Sequence, residues 1–482
     1  MRTTILLCAA LLALGTARAD ADFARDNWQQ TLPVAETKGM QLHFASLLVN
    51  APANLEPDNA ALAGQWPDLG VSLWPLQALV ERALQYSPAV LEAQANAQAA
   101  GHDLDQAQSG LWPRLELNAN SPAANLDKPG SSAMGARAGA NVVYNLFDFG
   151  KTRKQIAGRE FQALSLQSRL LTVREATAFD TANAYLELIK QQRLEGIYAK
   201  HIDALQDLVE KLSQIVAVFK GRRSELTQAQ TRLGQAQDSL LSVQAKERQI
   251  KLELMRQLGN YSRLSGVPDA LPNMPLDSTE VLMETVKTQH PAIRSAVADA
   301  SAARAQVEES LASQKPQVDM VLSSQSGLDA NGFSTPTQLY VTAKWVAFDA
   351  QGGKNAAQAL EERALAAEAR VGQILQEVEY KIHSAESDYR AQSWRARELV
   401  GLLDDTDQVR RDYYDQWREL GKRSLLDVLS AESEYLSTQL NLATAQVDQV
   451  IAAVRMRHEA GGFQSWLVGD AGVKVGPRGT AE

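Results

Sequence analysis

The stretch "ALQYSPAVLEAQANAQAAGHDLDQAQSGLWPRLELN", residues 83–118, is answered by "VKTQHPAIRSAVADASAARAQVEESLASQKPQVDMV", residues 286–321. In both copies two prolines stand 25 residues apart, Pro88 and Pro113 and then Pro291 and Pro316. Between its prolines each copy is alanine-rich with a helical period. The leading proline suits a first helical turn, where its missing N–H is no loss. Past the second proline both copies alternate as strands do, in "RLELNANS" (114–121) and "QVDMVLSS" (317–324). A repeat at a period of about 200 residues is too long for a solenoid and reads as two halves with one ground plan.

Other landmarks recur in the same order. "YNLFDFGKTRKQIAG" (144–158) matches "WVAFDAQGGKNAAQA" (345–359), aligning Phe147-Asp148 with Phe348-Asp349, and each closes a second strand-like run, "GANVVYNLFD" or "TQLYVTAKWVAF". Helical stretches without proline follow, from Lys151 to about Phe219 and from Lys354 to about Leu420. At 1.5 Å per residue each spans about 100 Å. Leu205, Leu212 and Phe219 recur every seven residues beside a second row of Ile202, Val209 and Val216; Leu375, Ile382 and Tyr389 repeat the spacing. A helix with two such rows faces neighbours on two sides.

Then come the turns "KGRRSELTQAQTRL" (220–233) and "LGKRSLLDVLSAE" (420–432), aligning Gly221 with Gly421. The Gly-Lys of the second is not a phosphate loop, because Gln416 stands where the first glycine belongs and Arg423 separates Lys422 from Ser424. Glycine instead suits a helix C-cap, and Ser224 and Ser424 suit N-caps of return helices over Ser224–Leu258 and Ser424–His458. One return helix and one proline-led helix together nearly match a long helix, so two short helices stacked end to end line one long one.

The opening "MRTTILLCAALLALGTARAD" has an early arginine, an apolar run from Ile5 to Leu14 and a small-x-small site at Ala17-Arg18-Ala19. It predicts a secretory leader over residues 1–19, whose apolar run falls short of the ~20 residues of a bilayer span. Cys8, the single cysteine, leaves with the leader, so disulfide and thiolate chemistry are not expected. The net charge of −9 gives no general attraction for nucleic acid. Histidines at 43, 102, 201, 290, 383 and 458 lack metal-ligand spacing and are expected at surfaces or between helices. Asp404-Asp405 reads as a solvated helix face rather than a catalytic pair, so no enzyme, cofactor or metal is expected. No later run holds 18 apolar residues, so a membrane crossing has to be made by strands. Leu339, Val341, Ala343 and Trp345 alternate with Gln338, Thr342 and Lys344, one set for lipid and one for a lumen.

The expected organisation is a leader (1–19), an irregular segment (20–71), a first repeat (72–258), a linker (259–279), a second repeat (280–460) and a flexible tail (461–482). The twofold repeat, the Phe-Asp motif and the glycine turn before "SLLDVLSAESEY" resemble the TolC family of outer-membrane channel proteins across residues 72–460. "YYDQWRELGKRSLLDVLSAESEY" is most similar to the branch serving type I protein secretion.

The resemblance implies a mostly α fold with a small β part. Three protomers give four strands each to a twelve-stranded barrel in outer-membrane lipid, continued by an α-barrel through the periplasm. It implies a homotrimer, a periplasmic adaptor and an inner-membrane ABC transporter, or a proton-driven pump in the small-molecule efflux alternative. A soluble periplasmic coiled-coil scaffold is the reading from another class. The resemblance also places the turns at an adaptor-docking tip formed by Gly221, Arg222, Arg223, Ser224, Gly421, Lys422 and Ser424. It assigns Arg423, Asp427 and Glu225 to the tunnel mouth, with Ser430 and Arg418 as departures from the usual acidic and aromatic positions.

Overall fold

The computed structural model describes residues 75–120, 123–124, 132–134, 137–259, 267–272, 278–326, 337–419 and 422–468. The expected leader and the segment 20–71 lie outside them, as do Leu420 and Gly421.

The first half runs α1 (Leu76–Tyr86), α2 (Pro88–Ser109), β1 (Arg114–Asn120), the short β2 (Ala123–Ala124) and β3 (Ser132–Met134), β4 (Arg137–Phe147), α3 (Lys151–Val218) and α4 (Arg223–Gln257). The second runs α5 (Thr279–Gln289), α6 (Pro291–Ser313), β5 (Gln317–Ser326), β6 (Gln338–Lys344), α7 (Gly352–Arg418) and α8 (Leu425–Glu459), with α9 (Phe463–Val468) after it. Pro88 and Pro291 open α2 and α6, while Ser87 and His290 before them are extended. Proline disfavours the helical region for the residue it follows, so α1 and α5 stop there.

The Phe-Asp motif acquires its physical reason at the junction of strand and long helix. Asp148 accepts from the backbone N–H of Gly150 (2.9 Å) and Thr152 (2.8 Å), and Asp349 from that of Gly353 (2.5 Å). Each carboxylate satisfies first-turn donors that have no partner within the helix. The chain turns sharply there through left-handed residues, Phe149 and Gly150 in one half, Ala350 and Gln351 in the other.

The long helices have 68 and 67 residues. Beside the sheet the helices pack in the order α2, α3, α6, α7, and beyond it in the order α4, α3, α8, α7. Thus α2 and α4 share α3, and α6 and α8 share α7, as the length matching predicts. Helix α6 lies between both long helices because it buries mainly small side chains, Ala296, Ala298, Ala300, Ala302 and Ala305 among them. A collar around the middle joins Leu79, Val80 and Ala83 of α1 to Leu186 and Ile189 of α3, Leu254 of α4, Val447 and Val454 of α8, and Phe463. A second cluster near the turns joins Leu205, Leu208 and Leu212 to Ala229, Trp417, Leu425 and Leu429.

The four main strands form one antiparallel sheet in the order β1-β4-β5-β6. Strand β6 ends at Lys344, opposite Gln317, short of the expected Phe348. The next pairing partner is Pro316, which has no N–H for the ladder. The tail also differs from expectation in its described part: residues 463–468 are helical and Phe463 is fully buried. Its aromatic ring completes the collar, a non-local gain invisible in local composition. Phe463→Ala is expected to cost about 3–5 kcal/mol, measured by unfolding of the purified protein in urea.

Candidate functional site

The strand registers sort the sheet into two faces. Leu115, Val142, Leu322 and Leu339 lie in one row across all four strands, and Tyr144, Met320 and Val341 form the next. Leu115, Leu339 and Val341 are at least 60% exposed, so this apolar face is uncovered in the single chain. The opposite face carries Glu116, Asn141 and Ser323 in one row, and Asn145, Asp319 and Thr342 in another. Its polar groups bond to one another, Asn145 to Asp319 at 2.9 Å and Ser323 to Asn141 at 2.6 Å. Leu339, Val341 and Ala343 share the apolar face. Trp345 lies beyond the strand, where its indole N–H donates to the Gln314 carbonyl at 3.2 Å.

A cavity of about 620 Å³ lies against the polar face where sheet meets helices, lined by Asp103, Trp112, Arg114, Asn145, Arg159 and Asp319 among others. The polar face is therefore continuous with the faces of α2 and α3 that carry Asp103 and Arg159.

At the first turn, Lys220–Arg222 form one 3-10 turn that runs directly into α4. Gly221 is not left-handed, in contrast to the expected C-cap, because the 3-10 turn reverses the chain with ordinary dihedrals. Ser224 is not the N-cap either: α4 begins at Arg223 and Ser224 falls in its first turn. Arg222, Arg223 and Ser224 are exposed. Glu225 in that first turn lies 4.0 Å from the Arg222 guanidinium.

At the second turn, Ser424 is the N-cap of α8 and forms a reciprocal capping box with Asp427. Asp427 N–H donates to Ser424 Oγ (3.2 Å), and Ser424 N–H donates to Asp427 Oδ2 (3.1 Å). These backbone and hydroxyl donors, with Arg423 nearby, hold the Asp427 carboxyl below the usual range. Arg423 turns back onto α7, its guanidinium 4.2 Å from the centre of the Tyr413 ring and its Nε donating to Gln416 Oε1 at 3.2 Å. Arg418 pairs with Glu419 at 2.7 Å. Lys422 is exposed, and Gly421 lies outside the described residues. Tyr413 and Gln416 were missed from sequence; their three-residue spacing on α7 was the available signal. Among the described residues no cluster of His, Cys, Asp and Glu can hold a metal, and no helix is long and apolar enough to cross a membrane.

Buried ionisable groups gather at the collar. Glu175 of α3 accepts from Gln464 N–H on both carboxylate oxygens, at 3.2 and 3.1 Å. Burial pushes it up to about 7, outweighing those donors and Arg174. His458 stacks on Phe179 at 4.5 Å, and burial, then His290 and Lys381, push it down to about 4.

The model of the family "Outer membrane efflux protein" matches residues 79–260. The outer membrane efflux protein BepC of Brucella suis is 22% identical over 335 residues, 67% of this chain and 71% of that protein. The nickel-cobalt-cadmium resistance protein NccC of Alcaligenes xylosoxydans is 27% identical over 330 residues, 66% and 70% of the two chains. Among solved structures, the outer-membrane channel OprN superposes with a TM-score of 0.70 at 21% identity, covering 81% of this chain and 90% of that one. VceC of Vibrio cholerae gives 0.70 at 21% identity, over 80% and 96%. The fold is that of the TolC-like channels.

The pKa of Glu175 is raised in the folded state above the ordinary value of 4.5, so its contribution to stability is complete below that pH and is lost as pH rises through 7. Glu175→Gln keeps an acceptor without the charge. It is expected to leave stability at pH 5 nearly unchanged and to raise it at pH 8, read by thermal unfolding at the two pH values.

Proposed function

We propose that this chain is a TolC-like outer membrane efflux protein, acting as a trimeric exit duct that spans the outer membrane and extends into the periplasm. The observation that carries this reading is the sheet: one apolar face is exposed, and among the described residues β1 and β6 have no partner on their outer edges. In lipid an unpaired edge is not tolerated, because no water replaces its missing hydrogen bonds. Pairing β6 of one copy with β1 of the next removes both edges at once. Three copies of a four-stranded sheet then close a barrel with apolar residues outward and the Asn145–Asp319 face toward the lumen.

In this reading the helices continue the lumen away from the membrane, and the two turns form the distal mouth. The duct performs no chemistry; an inner-membrane pump, joined through a periplasmic adaptor at the turns, supplies the energy. The names of BepC and NccC favour export of small molecules or ions. The wording of residues 413–435 favours a second reading, protein export with an ABC transporter. Asp427, on three copies, rings the mouth with carboxylates that attract cations, and Arg423 restrains the return helix through Tyr413 and Gln416.

Val341→Lys puts a charge on the lipid face and is expected to cost about 2–4 kcal/mol near the bilayer midplane. The reading expects little trimer in outer-membrane fractions of that variant, and normal yield counts against it. In planar bilayers, Asp427→Asn keeps the capping acceptor and is expected to weaken cation selectivity. Arg423→Ser is expected to raise conductance. Unchanged selectivity and conductance in assembled trimers would leave both residues as cap and surface charges.

A further inference from the structure

The seam where α3 of the first hairpin packs on α8 of the second carries two contacts between oppositely chargeable side chains among the described residues, and Arg193 of α3 also donates to Gln446 of α8 at 3.3 Å. Nearer the collar, Lys190 of α3 bonds to Asp448 of α8 at 2.9 Å and to Glu187 at 2.5 Å. Burial disfavours the lysine charge, but its hydrogen bonds to those two carboxylates outweigh this and raise its pKa. Three helical turns nearer the tip, the cation on α3 is a histidine. His201 Nδ1 lies 3.6 Å from Glu432 Oε1 of α8, with side chains only 11% and 17% exposed.

Charged groups of the second hairpin also lie at that point. Arg410 of α7 lies 3.5 Å from Glu432 Oε2, bonds to Asp407 at 2.6 Å and sits 4.7 Å from the centre of the Tyr435 ring. Arg411 pairs with Asp407 at 2.9 Å. Helix α4 contributes Ala236 and Leu240 to the apolar cluster at this end. Nearer the tip, Lys211 of α3 bonds to Asp207 on its own helix and reaches Tyr414 of α7.

We propose that His201 and Glu432 form a proton-dependent tie across the seam, with Lys190–Asp448 as its fixed pivot. The proposal rests on the channel reading, in which the distal ends of the hairpins form the mouth. A protonated imidazole gives the carboxylate a charge-assisted partner; a neutral one offers it no opposite charge. Glu432 keeps Arg410 when it releases α3, so opening the seam leaves no buried carboxylate unpaired. Acidification therefore tightens the distal seam while the collar stays pinned by a lysine that remains charged throughout.

The seam is flanked by α4 on one side and α7 on the other, so spin labels at Ser239→Cys and Asp405→Cys report its width. The expected distance distribution in the full-length assembled protein shifts to longer values between pH 5.5 and pH 8. His201→Gln is expected to give the long distribution at both pH values and His201→Lys the short one. Glu432→Gln abolishes the shift independently. In planar bilayers the unlabelled protein is expected to show open probability lower at pH 5.5 than at pH 8 by about fivefold, a difference lost in His201→Gln. A pH shift preserved in His201→Gln or Glu432→Gln overturns the tie, as does a distribution in the parent that ignores pH. An assembled protein that conducts nothing overturns the channel reading, while the distances still decide the tie.

Discussion

The rest of the structure depends on how a strand becomes a long helix. A helix of nearly 70 residues begins with backbone donors that have no partner within it. Here a single aspartate, Asp148 or Asp349, accepts from that first turn while left-handed residues aim the helix away from the sheet. Because the same device occurs in both halves, α3 and α7 leave the sheet in like manner and can frame α6. Loss of the carboxylate leaves the direction of a long lever to a few strained dihedrals.

Cohesion between the helices is distributed. Ion pairs lie along α6, Lys154–Glu308 and Arg169–Asp299 on the α3 side, and Arg304 with Glu361 and Glu368 on the α7 side, but their side chains are largely exposed. Solvent screening limits such pairs to about 1 kcal/mol or less each. The alanines of α6 and the collar aromatics do more, by letting helices approach closely and by removing apolar area from water. The seam between α3 and α8 is different in kind: its charged contacts are few and well shielded, so each one weighs on that interface alone.

A single chain is visibly unfinished. Its sheet has an exposed apolar face and, among the described residues, two edges without a partner, and α7 exposes Tyr380 and Trp394 while α4 exposes Leu241 and Leu252. Large apolar side chains in such number mark surfaces that seek a partner. The trimeric reading gives these surfaces one common explanation, since the edges of the sheet and the flanks of the helix layer are met by the same neighbour.

The order of the proline-led, long and return helices and of the four main strands was legible in the sequence because it rests on local rules: prolines at first turns, a period changing from 3.6 to 2, and long runs free of proline; α1, α5 and α9 were not. The duplicated Phe-Asp motif was legible as a landmark, and its role as a helix cap came from backbone geometry. Only the tertiary structure decided the rest. Strand β6 stops at Lys344 because its next partner is Pro316, and Phe463 is ordered because the collar has a place for its ring. Gly221 adopts ordinary dihedrals because a 3-10 turn runs into α4, Asp427 folds back on Ser424, and Arg423 finds Tyr413 and Gln416 across the turn. His201 meets Glu432 only after two hairpins from different halves have packed. Periodicity reports which face of an element seeks burial. The partner on that face is set by register and packing between segments distant along the chain.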